Sequence, residues 1–233
     1  MKRKHVQAGI PCIAIGVVFL MGALLLFLAN DAEDAKVAKE AGKTIALIRE
    51  EMLNQKRDDL PEQKQDDPMN NDVGADPAIT DKAEELARGN DSLDETVYVD
   101  GINYLGVLFI PGIELELPVS DELSETILKK VPCKYYGSIE DGLVISGHNY
   151  KSGFGRLSKV KRGDEVILVG ADGTKHGYVV EEIEILNPDQ VEEMIRTDFE
   201  LTLYTCTFGG KQRVTVRCRK SAASIGFQKG GNA

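Results

Sequence analysis

The sequence predicts a mainly β domain, a closed eight-stranded barrel with short helices, held behind an N-terminal transmembrane helix and a linker. Three observations carry this. The 22 residues 8–29 (AGIPCIAIGVVFLMGALLLFLA) contain no charged side chain, and about 20 apolar residues suffice to cross a bilayer as a helix. After residue 96 the pattern changes to short β-branched and aromatic runs, which read as strands. Between the two lies an acidic, proline-bearing stretch with few large apolar side chains, too poor in apolar surface to offset chain entropy.

The boundaries follow from these changes: a cytoplasmic N-terminus over 1–7, a signal-anchor over 8–29, a juxtamembrane helix and acidic flexible linker over 30–95, the barrel over 96–220 and a tail over 221–233. Lys2, Arg3 and Lys4 precede the apolar run, so the positive-inside rule puts the N-terminus in the cytoplasm and the barrel outside. A cleaved signal peptide is the rival reading. The run is longer than a usual signal core and LAND is a poor small-x-small cleavage site, which favours an uncleaved anchor. Within 33–57, Val37, Ile45, Ile48 and Leu53 fall near one helical face. Residues 58–81 read as a spacer, and 81–88 as a second, weaker helix.

Eight strands are expected in the barrel: 97–99, 104–110, 113–119, 143–147, 165–170, 176–186, 201–206 and 213–218. Turn signals separate them, among them Pro111-Gly112, Asp141-Gly142 and Asp172-Gly173. Closure is the expected architecture because it leaves no long edge unpaired. Short helical pieces are expected where Asp121 caps ELSETILKK, over Phe154 to Val160, and from Asn187-Pro188 through Ile195.

Charge and cysteine usage narrow the function. Residues 30–95 hold 19 acidic and nine basic side chains, an excess as large as the whole chain's net −10. The barrel itself is nearly balanced and has no Arg/Lys stripe, so no nucleic-acid partner is expected. No phosphate loop and no C-x-x-C pair is present. Cys12 lies in the apolar run, leaving Cys133, Cys206 and Cys218. An odd number outside the cell leaves at least one thiol unpaired, either buried and inert or functional. Cys133 and Cys218 fit either a disulfide or two buried thiols.

Cys206 ends the strand LTLYTC just before a glycine-containing turn, where substrate could reach it; a small core residue is the bland alternative. Arg213 lies across that turn on the next strand, where its guanidinium could face the thiol and a developing oxyanion. Arg217 has the same strand parity, so parity alone does not choose. His148 follows Gly147 at the end of LVISG, again at a strand end, whereas His176 opens a strand after a turn and looks solvated. A free thiol near pKa 8.5 is mostly protonated at neutral pH. A neighbouring imidazole can form the thiolate and later protonate the departing amine, leaving a thioester.

These residues resemble the sortase family. Its TLxTC strand is matched by Thr202-Leu203-Tyr204-Thr205-Cys206, its GH motif by Gly147-His148, and its arginine context by Arg213-Val-Thr-Val-Arg217, which selects Arg213. YLGVLFIPGIELELPV is similar to the family's first barrel strands. The resemblance covers residues 96–220. It implies a sortase barrel that recognises an LPXTG-like sorting signal, cleaves it through a thioester on Cys206, and hands the product to an amine. That amine belongs to a lipid II-like cell-wall precursor or a pilin lysine, in a Gram-positive bacterium. It also implies Thr205, Tyr204 and Asn149 as substrate-binding residues and residues 187–199 as a wall of the groove.

Departures from the pattern speak against two subclasses and assign none. The 58 positions from His148 to Cys206 leave no room for the long helix typical of class B. The short turn to Arg213, with no second apolar span after it, differs from many pilin-polymerising members. No cofactor is expected: Glu192 and Glu193 lie where some relatives bind calcium, but read as a solvated helix face. The rivals are a cysteine peptidase using the same residues with water, and a non-catalytic anchored β-barrel adhesin or sensor.

Overall fold

The computed structural model describes residues 9–58, 94–195 and 198–221. Its elements in chain order are helix α1 (Gly9–Asp58), strands β1 (Val97–Val99), β2 (Ile102–Ile110) and β3 (Leu115–Ser120), helix α2 (Glu125–Leu128), strands β4 (Cys133–Tyr136), β5 (Leu143–Gly147), β6 (Glu165–Gly170) and β7 (Lys175–Leu186), helix α3 (Val191–Ile195), and strands β8 (Leu201–Cys206) and β9 (Arg213–Lys220). Tight 3₁₀ turns occupy Pro111–Ile113 and Phe154–Lys159. The spacer and the weaker helix expected at 81–88 lie outside the described residues.

The strands run in the order β1-β2-β3-β4-β5-β8-β9-β7-β6, and β6 pairs back to β2. Strands β2 to β9 therefore close the expected eight-stranded barrel. Its membership differs from the expectation in one place. VYV (β1) is only a short antiparallel partner of β2, while β4, which joins β3 to β5, was not anticipated. CKYY is four residues long, follows a proline and carries a lysine, so it has no apolar alternation to announce a strand.

Period-two alternation fixes what each strand points where. Leu143 and Ile145 of β5, Leu201 and Leu203 of β8, and Val216 and Cys218 of β9 fill the barrel with Leu105, Leu108, Phe154, Leu157 and Leu168. The residues between them face outward. On that outer wall Val144, Leu186, Met194 and Ile195 form a separate cluster with Tyr135, Tyr136 and Tyr204 packed against it. Helix α3 thus covers the outside of β5 and β8.

Helix α1 is one continuous helix of 50 residues, not a membrane helix followed by a separate one. Nothing in 30–33 (NDAE) removes a backbone N–H or demands a special φ, so the change from apolar to charged side chains does not break it. Its first half exposes Ile13 to Leu28, and this apolar helix is long enough to cross a membrane. Its second half buries Ala41, Ile45 and Ile48: Ile45 and Ile48 pack with Val97, Val99, Ile102, Tyr104 and Val107, Met52 beside them, while Ala41 joins the barrel cluster that holds Leu115 and Leu117. Leu53, expected on this face, is 64% exposed, because the buried stripe steps 41, 45, 48, 52. Arg49 adds an ion pair to Glu116 at 2.6 Å.

One capping expectation changes. Ser124, not Asp121, caps α2, accepting from Ile127 N at 3.2 Å. Asp121 instead pairs with Lys134, which also reaches Asp94 at 3.5 Å. Cys133, Cys206 and Cys218 are all free, and Cys133 and Cys218 are buried.

Candidate active site

Three neighbouring strands build the site. Strand β8 pairs in parallel with β5, Thr205 opposite Gly147, and antiparallel with β9, Cys206 opposite Arg213. One residue beyond the last β5–β8 pair, His148 stands level with Cys206. All three have the outward parity of Val144, Ser146, Thr202 and Tyr204. His148, Cys206 and Arg213 thus share one level of the outer wall on adjacent strands, which lie about 4.8 Å apart. All three are half-buried.

The glycine before His148 lets this happen. A Cβ on Gly147 would lie 2.6 Å from Cδ2 of the fully buried Phe154 ring, so only glycine lets β5 approach that plug. After His148 the chain turns sharply, with Gly153 N and Gly155 N both donating to Tyr150 O at 3.0 Å. Asn149 Nδ2 donates to Thr207 O at 3.3 Å, joining this loop to the residue after Cys206. The His148 and Tyr150 rings lie 5.3 Å apart. Burial first, then the positive charge of Lys129, pulls the His148 pKa below its ordinary value, while Glu125 pushes it upward. Both charges belong to α2 and its cap, so the β3–β4 connection tunes this imidazole.

The turn after Cys206 is closed by Thr207 N to Gln212 O at 2.8 Å and passes through Gly209 and Gly210 at φ 84° and 73°, where a Cβ is disfavoured. Arg213 Nη1 donates to Gly210 O and Gln212 O at 3.2 and 3.3 Å. The guanidinium is therefore held by its own turn with donors to spare. Phe208, at the tip of that turn, is fully exposed.

Geometry separates the two arginines that parity left equal. Arg217 pairs across from Thr202, at the far end of β8 from Cys206, and is 3% exposed. It donates to Glu184 Oε1 at 2.7 Å, to Met194 O at 3.1 Å, to Glu193 O at 2.8 Å and to Thr202 Oγ1 at 3.2 Å. It is the fastener of α3, and Arg213 alone flanks the thiol.

Of the residues expected to bind substrate, Tyr204 shares the outward parity of Cys206 and is partly buried, and Asn149 is exposed on the loop after His148. Thr205 has the opposite parity from Cys206, is 2% exposed, and donates its hydroxyl to Gly147 O at 2.7 Å. Adjacency in the motif misled here, since neighbouring strand residues face opposite sides. Thr205 ties the two strands that carry Cys206 and His148. Tyr204 meets the edge of Tyr135 at 5.4 Å, and burial pushes its hydroxyl pKa upward, with Ser146 and Arg213 opposing. Glu192 and Glu193 are exposed at the start of α3. His176 pairs opposite Leu168 in β6, away from the site. Burial pushes the Cys133 and Cys218 thiols up to about 12, which leaves Cys206 as the accessible sulfur among the three.

Residues 108–221 match the family model of the sortase domain. No curated protein matches. Among solved structures the chain is similar to sortase C of Clostridium perfringens, with 30% identity, 51% of this chain and 70% of that one covered, and a TM-score of 0.45. It is similar to sortase C1 of Streptococcus suis at 29% identity, covering 51% and 73%, with a TM-score of 0.45. It is also similar to the pilus-related sortase C of Group B Streptococcus at 25% identity, covering 53% and 69%, with a TM-score of 0.47. The matched domain holds all three outward-facing side chains, and on the domain match together with the clostridial identity the chain belongs to the sortase family of cysteine transpeptidases.

Proposed function

We propose that this enzyme is anchored by the apolar half of α1, works outside the membrane, and transfers surface proteins from an LPXTG-like sorting signal to an amine. The observation that carries the reading is the common level of His148, Cys206 and Arg213 on the outward face of β5, β8 and β9. Cys206 attacks the scissile carbonyl, giving up its proton to His148. The tetrahedral oxyanion forms beside Arg213, whose unsatisfied N–H groups stabilise it. His148 then protonates the leaving amine, and the acyl fragment remains as a thioester. The incoming amine loses its proton to His148, attacks the thioester and releases the thiol.

Aromatic side chains near the thiol suit the apolar residues of such a signal: Tyr204 with Tyr135 against it, and the exposed Phe208. The acceptor is an amine of a lipid II-like precursor or of a pilin lysine. Membrane anchoring is supported by the exposed apolar run of α1 and by Lys2, Arg3 and Lys4 before it. The short β5-to-β8 connection, filled by β6, β7 and the five-residue α3, supports a subclass other than class B.

The test is intact-protein mass spectrometry after incubation with a library of sorting-signal peptides, with and without triglycine. An adduct on Cys206 that triglycine converts into ligated peptide is the expected result. Adduct loss at the same rate with and without triglycine, with no ligated product, would establish a peptidase instead. A Cys206→Ala protein that still processes peptide would end the proposal.

A further inference from the structure

The loop that follows His148 is held from outside the barrel by helix α1. Asp34 Oδ1 accepts from Ser152 N at 3.0 Å and from Ser152 Oγ at 2.6 Å, across 118 positions of sequence. One helical turn earlier Asp31 pairs with Lys151 at 3.4 Å, and the Lys151 ammonium lies 5.1 Å from the Phe27 ring centroid. Three consecutive turns of α1 thus grip Lys151 and Ser152. On its other side the same loop is held by Arg156, which donates through Nε to Lys151 O at 2.8 Å and through Nη1 to Glu114 O at 2.9 Å. Asn149 is tied to Thr207.

We propose that Asp34 is a positioning residue for the transpeptidation reaction: its two hydrogen bonds to Ser152 hold the His148 loop at the height of Cys206, so α1 is a working part of the site as well as an anchor. The physical case is that a side chain on a loop is only as well placed as the loop. A catalytic group displaced by about 1 Å can lose on the order of 100-fold in rate. The barrel fixes this loop at its ends, through Gly147 and through the buried Phe154, and the Asp34 contacts hold the stretch between them. A partly buried carboxylate accepting two hydrogen bonds, one from a backbone N–H, is a strong and directional tether. The tether has a spatial consequence. Asp34 follows Ala29 by little more than one helical turn, about 7 Å along the axis, so the site opens close to where the apolar half of α1 ends.

This inference rests on the assignment of His148 as the acid/base partner, and the experiment separates the two. The full chain is purified in dodecyl maltoside as wild type, Asp34→Ala, Asp34→Asn, Asp34→Glu, Arg49→Ala and His148→Ala. Each is measured for amide hydrogen exchange over residues 148–153 and for kcat and KM on a sorting-signal peptide. The pH dependence of Cys206 alkylation by iodoacetamide, which needs no peptide, is recorded as well. Asp34→Ala is expected to speed exchange at Ser152 and to lower kcat about 10-fold or more with KM nearly unchanged. It should also move the pH profile, as His148 gains solvent. Asp34→Asn keeps an acceptor and Asp34→Glu keeps the charge, so both recover part of the loss. Arg49→Ala, which cuts the ion pair to Glu116 on the same helix, leaves kcat and the pH profile unchanged. The proposal is overturned if Asp34→Ala leaves Ser152 exchange as it was, or speeds it while kcat and the alkylation profile stay at wild-type values. Full turnover by His148→Ala would instead sink the acid/base assignment.

Discussion

Replacing Gly147 by alanine tests whether the site depends on how closely β5 approaches the plug beneath it. The new Cβ would meet Phe154 Cδ2 at 2.6 Å, Cγ at 2.7 Å and Cβ at 3.1 Å. Phe154 is fully buried in the barrel core, so the ring has nowhere to swing and β5 or the 3₁₀ turn must shift. Forcing a methyl into a filled core costs about 1–3 kcal/mol. At roughly 4 °C per kcal/mol for a domain of this size, the melting temperature falls by about 4–12 °C. His148 is the next residue, so the same shift moves the imidazole, and a drop in kcat on the order of 10- to 100-fold follows. The assay is thermal unfolding by circular dichroism beside peptide turnover, with Phe154→Leu and the double variant in parallel. Shrinking the ring relieves the clash, so the double variant should be more stable than the two separate losses add up to, by about 0.5 kcal/mol or more. Strict additivity, or a Gly147→Ala protein melting within about 1 °C of wild type, would refute the reasoning.

Arg217→Ala should cost about 2–4 kcal/mol, since it strips Glu184 and two α3 carbonyls of their cation; Arg213→Ala should leave the melting temperature nearly unchanged and lower kcat about 10²- to 10³-fold. Denaturation and turnover measured on both proteins check this dissociation, and the opposite pattern would exchange their roles. Lys129→Ala removes a positive charge facing His148 and should raise its pKa, while Glu125→Gln should lower it, read from the acid limb of kcat/KM. Because burial holds that pKa below 6.5, the unfolded chain takes the proton first, so His148 withdraws stability as pH falls below about 6.5 and has no effect above it. Iodoacetamide at pH 8 should label Cys206 in the folded protein and reach Cys133 and Cys218 only after denaturation, because burial raises both thiols to about 12; peptide mapping of native and unfolded samples decides it.

Local pattern made much of this fold legible. Alternating apolar residues announced β2, β5, β8 and β9, and an uncharged run announced the first half of α1. What escaped was set by distant contacts. CKYY becomes a strand because β3 and β5 leave a gap that it fills, not because of its own residues. The step of the buried stripe on α1 is decided by where β1, β2 and β3 lie, which excludes Leu53 and admits Ala41. Arg213 and Arg217 are equivalent by parity, and only the register, with Cys206 at one end of β8 and Thr202 near the other, distinguishes them. Thr205 shows the converse error. A motif is a string, but a strand divides every string between two faces, so a residue next to the nucleophile is the one least able to share its groove.

The same division explains why the proposed catalytic residues lie on the wall of the barrel and not inside it. The inward positions of β5, β8 and β9 are Leu143, Ile145, Leu201, Leu203, Val216 and Cys218, all fully buried, and no substrate can enter a filled interior. Outward residues must then do the work, and an outward residue on a bare wall would be fully solvated. A thiolate, an imidazole and a guanidinium interact too weakly in bulk water to activate one another. The covering elements supply the missing dryness: α3 with Met194 and Ile195 on one side, the Tyr135–Tyr204 pair beside it, α2 near His148, and α1 behind the His148 loop. Two of these covers are fixed to the barrel by polar contacts spanning many residues, Arg217 for α3 and Asp34 for α1. The barrel sets the level of the three proposed catalytic side chains, and the covers set how strongly they feel one another.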